Sequence, residues 1–364
     1  MSRKSFGQVN FQEAGDYNTP DGEYADWDMV PLSVKRIFQR PTLVVSRCIE
    51  FDHVRYNGDM ITSDIVASLK PFVTFIPVCP EVEIGLGIPR DTIRIVLKGE
   101  EERLIQPSSG RDLTDLMNEF SRSFLDQLPP VDGFIMKNRS PTSGIAGVNR
   151  YPSQEKSAPL GKGPGFFGGM ILNRFAGYPI EDEGRLRNRR IREHFLTRIF
   201  LLADLGHAEA ASSMEAAIRF HTQNKLLYLS YSQMMAKRLG QIIANREGLP
   251  LPELFGAYRQ TLLDGMGRGP RYTAEINVLL HAFGHLKDTL SRDEKVFFLE
   301  ELDLYREGRI PIAVPKTLLR GWILRSATQA LAEQTWFAPW PDRLMLLDPD
   351  DIERGRGMWG EEIS

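Results

Sequence analysis

Two cysteines, a glutamate and two serines occupy positions from which they could form one reactive site. Cys48, Cys79 and Glu81 lie just beyond short apolar runs, and Ser140 and Ser143 follow a third run. Cysteines in such places are metal ligands or inert core residues, and a carboxylate beside them can move protons as a general acid or base. These residue types predict a site only if the fold brings the three segments together.

Three short strands are predicted to position these side chains. β-Branched and aromatic residues crowd residues 42–46, 73–78 and 133–136, and polar or proline-containing loops follow each run. In an open parallel sheet the loops that leave neighbouring strands converge at the carboxyl edge, where ligands bind. We therefore expect the cysteines, the glutamate and the serines to meet at that edge, and the loop 85–90 to direct Arg90 back to it.

The rest of the chain indicates two structural halves. A hairpin over 92–106 is predicted to extend the same sheet, a helix is predicted over 113–125, a loop over 150–164 and a helix over 166–175. From residue 191 the apolar spacing becomes helical. The predicted helices span 213–245, 252–263, 273–290, 292–307 and 315–331. We thus expect an α/β domain with a mostly parallel, Rossmann-like sheet, followed by an all-α helical domain.

Length and composition agree with a two-domain soluble protein. The chain has 364 residues, 42% of them hydrophobic, and no apolar run approaches the ~20 residues of a membrane span. We expect a cytoplasmic protein with reduced cysteines. The predicted divisions are a 1–39 extension, a 40–187 α/β domain, a 188–345 helical domain and an acidic 346–364 tail.

Charge is distributed unevenly between the halves. Residues 41–184 carry 15 Lys and Arg against 19 Asp and Glu, whereas residues 185–340 carry 22 against 16. Basic side chains of the second half are candidates for contact with a polyanion such as RNA, although arginines that pair with nearby acids would give the same pattern. The candidates are Arg185, Arg187, Arg189, Arg190, Lys225, Lys237, Arg238 and Arg271.

Other interpretations of the key residues remain open from composition alone. Two cysteines 31 residues apart are compatible with ordinary buried thiols, and a zinc site lacks the usual four ligands. His281 and His285 share a helix face, but two histidines without a third ligand are more often packing or surface residues. The shared strand-end positions, with Glu81 and a Ser-Pro-x-x-Gly loop, favour a site over inert thiols.

The order of three motifs resembles the thiouracil desulfidase (TudS-like) family. Its signatures are similar to residues 46–58, 78–90 and 137–144 of this chain, which carry Ser-Arg-Cys, Val-Cys-Pro-Glu and Ser-Pro-Thr-Ser-Gly. Downstream, residues 220–227, 277–284 and 305–308 resemble the helical YbgA-like domain. This order of domains resembles that of bacterial fusion proteins, which belong to desulfidases proposed to remove sulfur from thiouridine in tRNA.

The resemblance implies a particular chemistry. The family uses a 4Fe-4S cluster held by three cysteines, and the fourth iron takes the thiocarbonyl sulfur that water then replaces. Carried over by motif, Cys48 and Cys79 are cluster ligands, Glu81 is the catalytic acid or base, and Ser140 assists at the substrate.

Ser143 departs from the family pattern. It occupies the position of the third cysteine ligand, and the chain has no other cysteine to replace it. A serine oxygen is a harder and more basic ligand than a thiolate, so a cluster held there should be labile. The change could be introduced, the natural protein could ligate iron through Ser143 or water, or the site could have lost its cluster.

The sequence therefore predicts a tRNA-thiouridine desulfidase acting on 2-thio or 4-thio substrates, or a cluster-compromised version of one. Two rivals stay open: a non-catalytic RNA-binding or regulatory protein that retains the fold, and a desulfidase of free thiouracil-type bases.

Overall fold

The computed structural model describes residues 36–345 of the chain. The predicted acidic tail and all but the last four residues of the predicted N-terminal extension lie outside the described residues. The strands are β1 Thr42–Ser46, β2 Thr74–Val78, β3 Arg94–Lys98, β4 Glu101–Gln106, β5 Arg111–Asp112, β6 Gly133–Met136, β7 Val148–Tyr151, β8 Gly161–Gly163 and β9 Ile180–Asp182.

The helices concentrate in the second half of the chain. None of them, within residues 36–345, is long and apolar enough to cross a membrane. The helices are α1 Asp64–Leu69, α2 Pro80–Glu83, α3 Thr114–Asp126, α4 Phe166–Arg174, α5 Arg189–Ala210, α6 Met214–Gln223, α7 Lys225–Tyr231, α8 Gln233–Ala244, α9 Leu251–Gly265, α10 Tyr272–Leu286, α11 Arg292–Arg306, α12 Ala313–Ser326 and α13 Gln329–Ala332.

The first sheet is parallel throughout, in the order β2-β1-β6-β9. Its central strand β1 buries Leu43, Val44 and Val45 completely, as expected of a strand covered on both faces. Ser46 lies opposite Val78 in the register of β1 and β2, so the segments that follow these two strands leave the sheet side by side. The expectation of an α/β half with a mostly parallel sheet followed by a mostly helical half is confirmed.

The predicted hairpin forms, but its predicted place in the first sheet is wrong. β3 and β4 pair antiparallel within a separate five-stranded sheet, in the order β5-β4-β3-β7-β8. β3 pairs in parallel with β7, and part of the predicted loop 150–164 is strand as well. Ile95 and Leu104 of this second sheet pack with Val44 and Phe134 of the first in one core, which explains why the hairpin covers the parallel sheet rather than extending it.

Helix α5 covers the other face of the parallel sheet and also enters the helical half. Phe195 and Ile199 pack with Leu43 of β1, whereas Leu202 and Leu205 belong to the helical core. A run of 22 residues is about 33 Å long, enough to serve both cores. One helix therefore connects the sheet to the bundle without a flexible linker.

The single long helix predicted over 213–245 is wrong, because the segment forms three helices. Asn224 separates α6 from α7, and its amide donates to the Phe220 carbonyl at 2.8 Å instead of continuing the helix. Ser232 then adopts extended backbone and accepts a hydrogen bond from Met235 N, which caps α8. Side chains that bond locally to the backbone favour such breaks, a signal that apolar periodicity does not contain.

Candidate active site

The carboxyl edge of the parallel sheet brings Cys48 and Cys79 together. Cys48 lies in the turn after β1, and Cys79 precedes α2 directly after β2. Both are free and buried, with 9% and 8% of their surfaces exposed. The two strands are hydrogen-bonded neighbours, so their parallel direction places both thiols over the same end of the sheet.

Burial controls the protonation of both thiols. Desolvation and, to a smaller extent, the nearby Cys79 raise the pKa of Cys48 to about 12, while Lys137 opposes the shift. Desolvation also raises the pKa of Cys79, whereas its hydrogen bond from the Val82 backbone lowers it. Without a bound cation the thiols are therefore neutral at physiological pH, and a metal would displace their protons on binding.

Glu81 is held rigidly beside the thiols. Its Oε2 accepts hydrogen bonds from Arg90 Nε at 2.8 Å and Nη2 at 2.6 Å, and its Oε1 accepts one from Thr142 Oγ1 at 2.9 Å. Arg90 Nη2 also lies 3.9 Å from Cys79 Sγ. The loop after α2 thus returns Arg90 to the sheet edge, as the glycine and proline pattern predicts, and the carboxylate is fixed between two donors.

Ser140, Thr142 and Ser143 form the second wall of the site. Ser140 Oγ lies 2.9 Å from Thr142 Oγ1 and accepts hydrogen bonds from the backbone N–H groups of Thr142 and Ser143 at 3.3 and 3.1 Å. Because Ser140 Oγ already accepts twice, its own proton is free to point at Thr142, which in turn donates to Glu81. A directed hydrogen-bond chain therefore runs from Ser140 through Thr142 to Glu81.

Ser143 is buried, with 4% of its surface exposed. Among the described residues its hydroxyl has no hydrogen-bond partner. The other unpartnered polar group at this edge is Arg47 Nε, which is enclosed, while the same guanidinium pairs with Glu83 and lowers the pKa of Cys79. A free hydroxyl oxygen and an orphaned donor at the edge that carries two thiols are groups that an anionic metal cluster could satisfy.

Helix α4 seats the turn that carries the serines. The backbone N–H of Gly165 donates to the Gly144 carbonyl at 2.7 Å, and that of Gly168 donates to the Thr142 carbonyl at 2.9 Å. A Cβ at Gly168 would lie 2.3 Å from the Gly144 oxygen, so only glycine permits this approach. The glycine-rich start of α4 therefore fixes the position of the turn.

Lys137 and Glu183 complete the site at the ends of β6 and β9. Their side chains form a salt bridge, and Glu183 Oε2 also accepts from Asn138 N at 2.8 Å. Both charges influence Cys48, since Lys137 lowers its pKa and Glu183 raises it. The sequence did not single out Thr142, Lys137 and Glu183 as candidate site residues, although the first two lie within the third motif.

The carboxyl edge supplies few conventional metal ligands. Residues 36–345 contain no group of three or more His, Cys, Asp or Glu side chains arranged to hold a metal ion. Cys48 and Cys79 are two soft ligands, and any third protein ligand at this place must come from a different residue type.

The candidate RNA-binding arginines near residue 185 separate into paired and unpaired side chains. Arg185 forms a salt bridge with Glu181, and Arg189 forms one with Glu193, so part of the cluster follows the ion-pair interpretation. Arg187 and Arg190 are exposed and have no acidic partner among the described residues. This segment follows β9 directly, which places it next to Glu183 at the same edge as the thiols.

The other candidates lie on the helical half. Lys225 begins α7, Lys237 and Arg238 are exposed on α8, and Arg271 precedes α10. The Lys225 ammonium lowers the pKa of His281 on α10, after the effects of burial and of His285. Basic groups of α7 and α10 are thus neighbours, although the structure does not join all four candidates into one patch.

Comparison with known proteins assigns each half a relative. Residues 43–183 match the family model described as 2-thiouracil desulfurase, and residues 225–341 match that of DUF1722, a protein of unknown function. The chain therefore joins a region of 2-thiouracil desulfurase type to a region of DUF1722 type. The two resemblances drawn from the motifs are confirmed.

Individual relatives each correspond to about two fifths of the chain. The uncharacterized protein YbgA of Escherichia coli strain K12 is 25% identical over 155 residues, which are 42% of this chain and 92% of YbgA. The uncharacterized protein YbbK of Bacillus subtilis strain 168 is 26% identical over 153 residues, 40% of this chain and 98% of YbbK. Among solved structures, the [4Fe-4S]-dependent thiouracil desulfidase TudS is 25% identical, with 41% of this chain and 94% of TudS covered and a TM-score of 0.31.

Proposed function

We propose that this protein is a desulfidase that removes sulfur from thiolated uridine in tRNA. The match to the 2-thiouracil desulfurase family supports sulfur removal from a thiouracil-type substrate. The observation that carries the proposal is Glu81, fixed by Arg90 and Thr142 beside two neutral thiols at a sheet edge. A cytoplasmic location, where thiols stay reduced, is part of this proposal.

The residues at the edge fit an iron–sulfur cluster if an oxygen supplies the third protein ligand. When bound, a 4Fe-4S cluster provides an iron with an open coordination position, which a soft thiocarbonyl sulfur can occupy. Cys48 and Cys79 would hold two irons, and the unpartnered Ser143 hydroxyl would hold the third. The orphaned Arg47 Nε supports this assignment, because an anionic group beside Cys79 would give that donor a partner.

The chain's own residues would bind the pyrimidine and move protons. Replacing sulfur by oxygen adds water to the carbon and releases hydrosulfide, so a base must take a proton from the water and an acid must return one. Glu81 is suited to both steps because Oε1 bonds to the Thr142 hydroxyl, so that oxygen can exchange a proton while Oε2 keeps its ion pair with Arg90. The chain through Thr142 gives Ser140 a hydroxyl whose orientation responds to the charge on Glu81.

The proposal is tested by anaerobic reconstitution of the full chain and of Ser143→Cys. We expect both proteins to bind iron and sulfide and to release sulfide from thiouracil or thiouridine. The Ser143→Cys cluster should survive a chelator longer, because thiolate is the softer ligand. Ser230→Cys, which adds a thiol at a fully buried serine of the helical half, is the matched control and should retain the stability of the original cluster.

Each result has a defined meaning. Cluster binding by Ser143→Cys alone would show that this chain has lost its cluster, and absence of a cluster and of sulfide release in both proteins would overturn the enzymatic proposal. Binding of tRNA is measured by gel shift at several salt concentrations. Binding without activity would favour the non-catalytic rival, and activity without binding would favour free thiolated bases as substrates.

A further inference from the structure

A cleft of about 360 Å³ opens on the second sheet, next to the turn that carries the active-site serines. Its walls come from β3, from β7 and from the residues that begin the turn. The side chains with polar groups along it include Arg94, Arg139, Asn149, Tyr151 and Lys162.

The cleft is basic. Three of its lining residues are cations, and the lining, which lies entirely within the described residues, contains no carboxylate. Arg94 already has partners within the protein, because its guanidinium lies 4.7 Å from the centre of the Tyr151 ring and donates to the Glu155 carbonyl at 2.9 Å. Arg139 and Lys162 are exposed and have no ion-pair partner in residues 36–345. Two unneutralised cations over a polar cleft favour an anionic ligand.

The cleft is coupled to the active site through a few residues of backbone. Arg139 and Pro141 line it, and Ser140 between them starts the hydrogen-bond chain to Glu81. The backbone of Arg139 is in the left-handed region, with φ of 56°, which is costly for a residue with a side chain, so the surrounding structure must hold it there. Because Arg139 directly precedes Ser140, a ligand held by Arg139 would lie beside the substrate of the proposed reaction.

We propose that this cleft binds a phosphate group of the nucleotide substrate, through Arg139 and Lys162, while the thiolated base occupies the site beside Glu81. The inference rests on the proposed function and adds to it a second point of recognition. It predicts that phosphate-bearing substrates are preferred over the nucleoside and the free base, because only they reach both places.

The test compares thiouracil, thiouridine, thiouridine monophosphate and a thiouridine-containing oligoribonucleotide with the full-length protein. The variants are Arg139→Asn, which removes the charge while keeping a residue that tolerates the left-handed region, and Lys162→Gln. The matched control is Lys98→Gln, an exposed cation at the far end of β3 and outside the cleft. A second readout, independent of the cluster, is anisotropy of the labelled oligoribonucleotide at several salt concentrations.

We expect the double variant to lose about tenfold in kcat/KM for the phosphate-bearing substrates and to keep its rate on thiouracil. Its affinity for the oligoribonucleotide should weaken by a similar factor. The slope of the log binding constant against log salt concentration should become shallower by about 0.7 for each lost phosphate contact. An effect limited to the oligoribonucleotide would identify a phosphodiester, and an equal effect on the monophosphate would identify a terminal phosphate. Unchanged binding and unchanged preference in the double variant would overturn the inference, and a protein without desulfidase activity would still report through anisotropy.

Discussion

Glu81 differs from the other carboxylates at the sheet edge in the groups that hold it. Glu183 and Glu83 each neutralise one cation, Lys137 and Arg47, at positions around the thiols. Glu81 instead has one oxygen on the guanidinium of Arg90 and the other on a hydroxyl. A carboxylate with a hydroxyl partner can exchange a proton without breaking an ion pair, which suits it to acid and base steps.

Replacement of Glu81 by glutamine is expected to lower kcat on thiouracil by about 10²-fold or more, the range typical of a lost general acid or base. Cluster content should not change, because the residue is not a proposed ligand. Thr142→Val should cause a smaller loss and Thr142→Ser should restore the rate, since only the hydroxyl bonds to Glu81. These rates are measured as released sulfide per iron bound.

Glu119→Gln is the control for the change from carboxylate to amide. Glu119 is exposed on α3, away from the thiols, and the variant should retain full activity. Activity in Glu81→Gln equal to that of Glu119→Gln would show that Glu81 has no role in proton transfer.

At the scale of elements, the position of the turn that carries Ser140 and Ser143 depends on helix α4. The backbone of Gly168 lies against the carbonyl of Gly144, so a methyl group between the helix and the turn would clash with that carbonyl. Gly168→Ala should therefore displace the turn, lower stability by about 1–3 kcal/mol and reduce desulfidase activity. Thermal unfolding and sulfide release measure the two effects.

A glycine in open space provides the comparison. Gly256 lies in α9 with no atom within 4 Å of an added Cβ, so Gly256→Ala should stabilise the protein by about 0.5–1 kcal/mol. Activity should stay unchanged. Equal melting temperatures for the two variants would contradict the proposed contact between α4 and the turn.

The sequence predicts the strands of the site better than their assembly. Residues 42–46, 73–78 and 133–136 are short β-branched or aromatic runs, and each forms its strand in one parallel sheet. The second sheet could not be predicted, because β3 pairs with β7 some fifty residues later, and alternation within a strand does not specify its partner.

Predictability also differs among the residues of the site. The motifs identify Cys48, Cys79 and Glu81, and the turn at 85–90 indicates that Arg90 returns to them. Thr142 could not be found in this way, since its contact with Glu81 depends on how α4 seats the turn. Contacts made across elements require the fold, whereas local turns and strand ends leave a signal in the sequence.

At the scale of the whole molecule, the sheet and the bundle share helix α5. Its first half packs on β1 and its second half packs in the helical core, so the predicted division between residues 187 and 188 falls just before a helix that both halves need. The exposed Arg187 and Arg190 lie at this junction, beside the edge that carries the thiols. The arrangement would let RNA contact the junction while one nucleotide enters the site.

Asp132 precedes β6 at the opposite, amino-terminal edge of the parallel sheet, and it predicts how stability depends on pH. Burial raises the pKa of its carboxyl to about 6, while the hydrogen bond from Thr42 N and the charge of Arg259 lower it and Asp204 raises it. The pKa of an unfolded aspartate is about 3.9. The folded state therefore binds more protons between these values, and stability contributed by this group rises as pH falls through the window and is lost above pH 6.

Asp132→Asn should remove this pH dependence and keep an oxygen that accepts from Thr42 N. We expect the variant to be more stable than the original protein at pH 7.5, by roughly 1–3 kcal/mol, because it no longer buries a charge. The difference should vanish near pH 4, where Asp132 is protonated in the folded protein. Melting curves between pH 4 and 8 measure it, with Asp264→Asn, an exposed aspartate of α9, as a control whose profile should follow that of the original protein. A melting temperature for Asp132→Asn at or below that of the original protein at pH 7.5 would show that the Asp132 charge is compensated by Arg259.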